Sequence, residues 1–281
     1  SNMKSLVSTE WLYKNLENVR IFDASWHLPG SNRDGFQEYK KKHIKNSLFF
    51  DIDKNSNQNS SLPHMLTTKE DWEKIVSEYG IYNTDHVVIY DNSDVISSCR
   101  VWYNFLYFGH DSNLISVLDG GLKKWLMEKR SIDNQIMNFE KSIYKANENS
   151  SLVINRNEVD SNIKTKLFDL IDARSKERFL GKQKEIRKNL RSGNIPGSKN
   201  LPFGELINKL DGTFKSKNEL IDVFANHKIN TSDNLAFTCG SGITASILGL
   251  ANSIISGKKP LIYDGSWSEY GLSKNENNNK N

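Results

Sequence analysis

The sequence predicts an α/β protein made of two copies of one unit, and three observations carry that prediction. Short apolar runs alternate along the chain with stretches of helical spacing, the order that parallel sheets require. One run, Val87-Val88-Ile89-Tyr90-Asp91, is almost continuously apolar, as strands buried on both faces are. The pattern then recurs: Leu167 to Arg174 answers Ile21 to Ala24, Gly193 to Phe203 answers His43 to Phe50, and Tyr263-Asp264-Gly265-Ser266-Trp267 answers Leu118-Asp119-Gly120-Gly121. The internal distances agree, with 68 positions from Asp23 to Asp91 and 67 from Asp172 to Cys239.

Taken in order, Val19 to Asp23 is a short strand ending in Asp23-Ala24-Ser25, and Arg33 to Lys42 is polar and helix-permissive. His43 to Asp53 is a turn feeding a second buried run. Lys54 to Leu66 is polar and contains proline, hence a loop. Lys69 to Glu78 has helical spacing, and the strand Val87 to Asp91 follows it. Helix Ser98 to Phe108, strand Leu114 to Leu118 and the turn Asp119-Gly120-Gly121 close the first copy. Asn138 to Ser151 is rich in Asn, Lys, Glu and Ser with neither period, the composition of a linker. The expected division is a first domain at 4–140, a linker at 141–152, a second domain at 153–272 and a disordered tail at 273–281.

Length and composition bound the function. A chain of 281 residues is comfortable for two domains, and 37% hydrophobic, 10% aromatic and 26% charged residues are those of a packed soluble protein. The net charge of +4 is modest and its lysines are scattered among asparagines, which argues against nucleic acid as partner. No run approaches the roughly 18 apolar residues of a membrane span, and the N-terminus lacks a secretory apolar region. Two cysteines are too few for a disulfide framework and lack metal-ligand spacing, so a reducing compartment, the cytoplasm, is expected. Ser1-Asn2 before Met3 reads as a cloning remnant and stays outside the fold reasoning.

The stretch Phe237 to Ala245 carries the chemistry. Leu235-Ala236-Phe237 reads as a strand and Ala245 to Ile255 as a helix, which sets Cys239 on a strand-to-helix turn. Gly240 and Gly242 let the backbone curl, and the N–H groups of the turn and helix start point toward whatever the sulfur carries. Such a cradle favours an anion and hence the thiolate, the attacking form. Cys239 is therefore the candidate nucleophile. The repeat puts Asp91 where the second copy has Cys239, so a single active site is expected, on the second copy. A phosphatase on a similar loop needs an arginine six positions after the cysteine to grip phosphate bidentately. That position is Ala245, so the loop suits a smaller, sulfur-bearing anion.

Other residues carry two readings each. Cys99 reads as a small buried hydrophobe. Thr238, Ser241 and Thr244 are either hydroxyl donors to the sulfur or substrate, or turn formers. Arg174, Arg178, Arg187 and Arg191 stand close together as a substrate-anion clamp or a solvated face. His64, beside Pro63 in a loop, is a proton shuttle or plain surface. Asp51 and Asp53 are functional carboxylates or structural caps.

With those residues in view, the chain resembles the tandem-rhodanese sulfurtransferases, and within them the 3-mercaptopyruvate branch, from Trp11 to about Gly271. Cys239-Gly240-Ser241-Gly242-Ile243-Thr244 matches that branch's loop except for a conservative Ile243, whereas thiosulfate-preferring relatives carry basic residues after the cysteine. Further matches are Phe49 to Asp53, His64-Met65-Leu66, Val88 to Asp91, Arg100-Val101-Trp102, Leu118 to Gly121, Asp172-Ala173-Arg174, Arg178-Phe179, Asn194 to Gly197 and Asp264 to Trp267. Lys45-Asn46-Ser47 departs from a usual Pro-Gly-Ala, and Lys182 to Ile186 lacks the usual prolines, which loosens the expectation for Arg187.

The resemblance implies two rhodanese-like modules, each a parallel sheet with helices on both faces, with the site in the cleft between them. It implies Cys239 as the persulfide-forming nucleophile and Arg178 and Arg187 as a clamp on the substrate's carboxylate and carbonyl. Ser241, His64 and Asp53 are implied as a proton relay, and Gly240, Gly242, Ile243 and Thr244 as the loop against which substrate binds. The implied activity moves the sulfur of 3-mercaptopyruvate to a thiol or cyanide, with a thioredoxin-like protein as a candidate acceptor. No metal, organic cofactor, nucleic acid or membrane is implied. The rivals are a thiosulfate:cyanide sulfurtransferase and a non-catalytic rhodanese-like carrier of a persulfide made elsewhere.

Overall fold

The structure, a computed structural model, describes residues 3–272, so the tail expected at 273–281 lies outside the described residues. The chain folds into two compact units. The first holds the residues up to Gln58, Leu66–Ser150 and Ile207–Lys215; the second holds Asn59–Met65, Ser151–Leu206 and the chain from Ser216 onward. Each unit thus includes a short segment that the repeat assigns to the other copy, which a division by consecutive ranges does not anticipate.

In the first unit the strands are β1 (Leu6–Val7), β2 (Arg20–Asp23), β3 (His43–Ile44), β4 (Ser47–Phe49), β5 (Val87–Tyr90), β6 (Ile115–Leu118) and β7 (Ile132–Asp133). The helices are α1 (Thr9–Lys14), α2 (Gly35–Lys41), α3 (Lys69–Glu78), α4 (Ser98–Tyr107) and α5 (Gly121–Met127). The main sheet runs β1-β6-β5-β2-β4, every pair parallel, while β3 and β7 form a separate antiparallel pair. Successive side chains of β2 point to opposite faces, and both faces are covered. Ile21 joins Val7, Leu12, Val88, Leu122 and Trp125 on the face under α1 and α5. Phe22 turns the other way, edge-on to Tyr79 at 4.9 Å and Phe50 at 5.7 Å, toward the α3 and α4 rings, where Trp72 stacks on Phe108 at 4.8 Å.

The second unit repeats this plan. Its strands are β8 (Val153–Ile154), β9 (Asp169–Asp172), β10 (Lys199–Asn200), β11 (Leu235–Thr238) and β12 (Ile262–Tyr263), in the all-parallel order β10-β9-β11-β12-β8. Its helices are α6 (Arg156–Thr165), α7 (Lys176–Phe179), α8 (Lys217–Asn226), α9 (Ala245–Ser256) and α10 (Ser266–Tyr270). Capping boxes at Asn155/Glu158 and Ser216/Glu219 fix where α6 and α8 begin. Leu170, Ala236, Tyr263 and Trp267 pack with α6 Val159 on one face, and α9 Ile247, Leu248 and Leu250 are buried. Pairing registers match across the units: Asp23 lies beside Tyr90 and Asp172 beside Thr238. Asp91 and Cys239 therefore leave their sheets at the same place.

The stretch 141–152 is no free spacer, because it runs hydrogen-bonded along the first unit. Ser142 and Tyr144 donate their N–H groups to the Ser77 carbonyl (3.0 Å) and hydroxyl (2.9 Å), and Asn147 donates to the Phe108 carbonyl at 2.9 Å. Tyr144 is buried there against His110, its hydroxyl 2.7 Å from Nδ1. At Lys45-Asn46-Ser47 the turn survives without glycine, since Asn46 adopts φ +70°, a region asparagine tolerates better than most residues.

Candidate active site

β11 ends at Thr238, and the chain turns through Cys239 to Thr244 before α9 begins at Ala245. Helix α10 holds this turn from behind. Trp267 N–H donates to the Cys239 carbonyl and Ser268 N–H to the Gly240 carbonyl, both at 2.9 Å. A trans peptide points its N–H opposite its carbonyl, so the N–H groups of Gly240 and Ser241 face away from α10. Ser266 accepts the Cys239 N–H and the Thr238 hydroxyl at 3.2 Å each and donates to the Tyr263 carbonyl at 2.8 Å. Ser266 does so at φ +51°, a strained setting that marks how closely the loop's base is specified.

The sulfur accepts the N–H of Gly242 at 3.0 Å. Gly242 has φ +89°, which brings that N–H back over the cysteine three positions earlier. Cys239 is only 2% exposed, yet its shell differs from that of Cys99. Cys99 is fully buried on α4, where burial and then the Asp91 charge push its thiol well above the ordinary range. It is the inert cysteine.

In the first unit the carboxylate of Asp91 occupies the matching turn, accepting Ser93 N–H at 2.9 Å and Ser98 N–H at 3.0 Å. A carboxyl group of the chain itself thus sits where the second copy has sulfur. Burial raises Asp91, and it raises Asp23 beside it to about 7, against the Ser25 hydrogen bonds that lower it and with a further push from Asp91.

Around Cys239 the structure gathers some of the residues named from sequence and not others. His64 belongs to the second unit, and its Nδ1 is 2.9 Å from the Ser241 hydroxyl. It is buried and held at φ +61°, a conformation a histidine seldom takes without a reason. Arg178 lies over the loop: a Cβ placed on Gly240 would stand 3.3 Å from its terminal nitrogen. Burial pulls this guanidinium down, and its Glu185 hydrogen bond and charge, aided by Cys239, more than reverse it. Ile243 is buried, Thr244 precedes α9 without a side-chain cap bond, and Thr238 is spent on Ser266.

Arg174 is not part of a clamp. Its guanidinium is tied to Asp172 by bonds of 2.8 to 3.2 Å and to the Gly193 carbonyl at 2.7 Å, and it stacks on Trp267. Arg187 is exposed, and among the described residues it makes no hydrogen bond or ion pair. Asp53 lies in the first unit, where the Trp26 indole donates to both its oxygens at 3.1 and 3.2 Å. Sequence reasoning passed over Glu185 and the Ser266 and Ser268 contacts. A single acid among lysines gives no periodic or motif signal, and the Asp264 to Trp267 repeat marked Ser266 without showing that it and Ser268 hold the cysteine turn.

Comparison with known proteins places this geometry. The rhodanese-like domain model matches twice, at residues 8–128 and 155–273. The chain belongs to the rhodanese-like family. It is 36% identical to the 3-mercaptopyruvate sulfurtransferase of Mus musculus and 37% identical to the thiosulfate sulfurtransferase of the same species, each over 95% of this chain and 92% of the relative. Among solved structures, SseA from Escherichia coli, described as a 3-mercaptopyruvate sulfotransferase, superposes with a TM-score of 0.84 at 30% identity, covering 96% of this chain and all of that one (100%). Among the described residues of this family member, no helix is long and apolar enough to cross a membrane.

Proposed function

We propose that this rhodanese-like protein is a sulfurtransferase that takes sulfur from 3-mercaptopyruvate onto Cys239 and passes it to a thiol or to cyanide. The carrying observation is the Cys239 loop, where sulfur accepts a backbone N–H and every residue from Gly240 to Thr244 is uncharged. The Cys239 thiolate attacks the donor's sulfur, the carbon–sulfur bond breaks with its electron pair going to carbon, and the donor's thiol proton ends on that carbon as pyruvate forms. Charge and atoms balance, leaving an anionic persulfide on Cys239. Loop N–H groups and the start of α9 stabilise that outer sulfur. An acceptor thiolate then attacks it and regenerates the enzyme, a two-step scheme.

The proton path is assigned to Ser241 and His64, with the 2.9 Å contact in support. Asp53 joins them by resemblance. Arg178 is assigned to the donor's carboxylate from its place over Gly240, and Arg187 to the carbonyl by resemblance alone. The cytoplasm stays the assigned compartment on cysteine usage, although a relative in Arabidopsis thaliana is named as mitochondrial. A thioredoxin-like protein is the proposed acceptor.

A thiosulfate:cyanide reading is favoured by one observation, an identity to a thiosulfate sulfurtransferase of 37% against 36% to the 3-mercaptopyruvate enzyme. The uncharged loop argues against it, because a dianion gains most from lysine or arginine beside the sulfur. Intact-mass measurement after mixing the protein with 3-mercaptopyruvate tests the proposal. A gain of one sulfur, absent in Cys239→Ser, is expected; no gain would leave only a carrier of sulfur loaded elsewhere. A higher kcat/KM for thiosulfate than for 3-mercaptopyruvate would reverse the choice of donor.

A further inference from the structure

Between Gly181 and Asn189 the chain turns its lysines, Ile186 and Arg187 to solvent and one side chain inward. That one is Glu185, whose side chain is 3% exposed. Its Oε1 accepts from an Arg178 terminal nitrogen at 2.7 Å and its Oε2 from Arg178 Nε at 3.2 Å, a bidentate pair. Arg174 approaches Oε2 at 3.6 Å, but its own charge is already met by Asp172. The cluster therefore balances two by two, Arg174 with Asp172 and Arg178 with Glu185. The Glu185 carboxylate is shut from water, while the Arg178 side chain is 34% exposed, so water screens this pair from the arginine's side alone.

The consequence falls on the loop, since Arg178 is the cation that lies over Gly240. Locked to a buried carboxylate, it offers N–H donors to a ligand but little net positive charge. A singly charged carboxylate needs mainly those donors. A doubly charged donor such as thiosulfate needs net charge, and meets the Glu185 carboxylate close behind the guanidinium. The first unit supplies a contrast in the acid: Arg33, as exposed as Arg178, pairs bidentately with Glu38 and donates to the Asn92 carbonyl, one residue beyond Asp91, but there the carboxylate is 34% exposed and screened by water.

We propose that Glu185 sets donor selectivity, holding thiosulfate-like dianions back relative to monoanionic thiol-carboxylates by neutralising the arginine over the Cys239 loop. This rests on the proposed function, in which Arg178 meets the anionic end of the donor. In the full-length protein, Glu185→Gln keeps the shape and an acceptor oxygen but removes the charge. The ratio of kcat/KM for thiosulfate to that for 3-mercaptopyruvate, with cyanide as common acceptor, should rise on the order of tenfold. The gain should shrink as salt is added. Glu38→Gln should leave the ratio unchanged.

If Glu185 only anchors Arg178, both donors lose KM together and the ratio stays within twofold, which overturns the proposal, as does a shift toward 3-mercaptopyruvate. Should Glu185→Gln not fold, Arg178→Gln carries the test. It leaves Glu185 uncompensated, so the ratio should drop below wild type, and an unmoved ratio overturns the proposal equally. A wild-type protein that takes sulfur from neither donor sinks the functional reading and this inference together. An active wild type with an unmoved ratio sinks the inference alone.

Discussion

Replacing Gly242 with alanine tests the sulfur cradle most directly. At φ +89° an L side chain is strained, by about 1–2 kcal/mol if the backbone holds its course. A domain of this size then melts about 2–8 °C lower. If instead the backbone relaxes, the N–H that stands 3.0 Å from the sulfur swings away and the anion loses a fixed donor. Removing one such donor from an oxyanion hole costs about 10²–10³ in kcat. Sulfur is larger and accepts weaker hydrogen bonds, so a fall of about tenfold to a hundredfold in persulfide formation is expected.

Gly240→Ala is the matched control, because the φ of Gly240 lies outside the left-handed region. Its new Cβ would sit 3.3 Å from the Arg178 guanidinium, which must give by a few tenths of an ångström while held by Glu185. That variant should keep its melting temperature and its saturated rate, and raise KM several-fold. Single-turnover mixing with 3-mercaptopyruvate, followed by pyruvate release, reads both quantities. Wild-type rate and stability in Gly242→Ala would refute the cradle, and an equal slowing in Gly240→Ala would show that loop shape at large, rather than one N–H, is responsible.

Two further outcomes are expected. His64→Asn removes the imidazole but suits φ +61°, so the fold should stay intact while kcat falls about a hundredfold; an unchanged kcat would exclude His64 from proton transfer. Asp23, raised by burial to about 7, contributes stability that is present at acid pH and lost as pH rises toward and through 7, on the order of 4 kcal/mol in total. Asp23→Asn keeps an oxygen to accept the two Ser25 bonds, so its denaturation midpoint should decline less than that of wild type between the ordinary 3.8 and the raised value of about 7, the span over which the loss falls. Equal declines would mean that Asp23 is not the group responsible.

The central strands and the helices at Lys69–Glu78, Ser98–Tyr107 and Ala245–Ser256 were legible because their patterns are local, whereas α1, α6 and α8 went unassigned. Val87 to Tyr90 is apolar enough to need cover on both faces, and Lys69 to Glu78 carries a helical stripe that Thr68 caps. The repeat was legible because it survives in spacing, and the registers beside Asp91 and Cys239 match as that spacing requires. A cysteine between a strand and a glycine-rich turn is a local signal too. The doubled α/β plan and the place of the candidate nucleophile, Cys239, were thus local properties of the chain.

Packing settled which charged side chains lie near that cysteine. Arg174, Arg178 and Arg187 look alike in sequence, yet one is bound to Asp172, one is carried over Gly240 by Glu185, and one stays in solvent. Only folding also lodged His64, with its segment, in the unit that holds Ser241. The physical reason is range: periodicity and turn chemistry act over a few neighbouring residues, whereas an ion pair forms between whichever groups the packed backbone brings within 4 Å and shields from water.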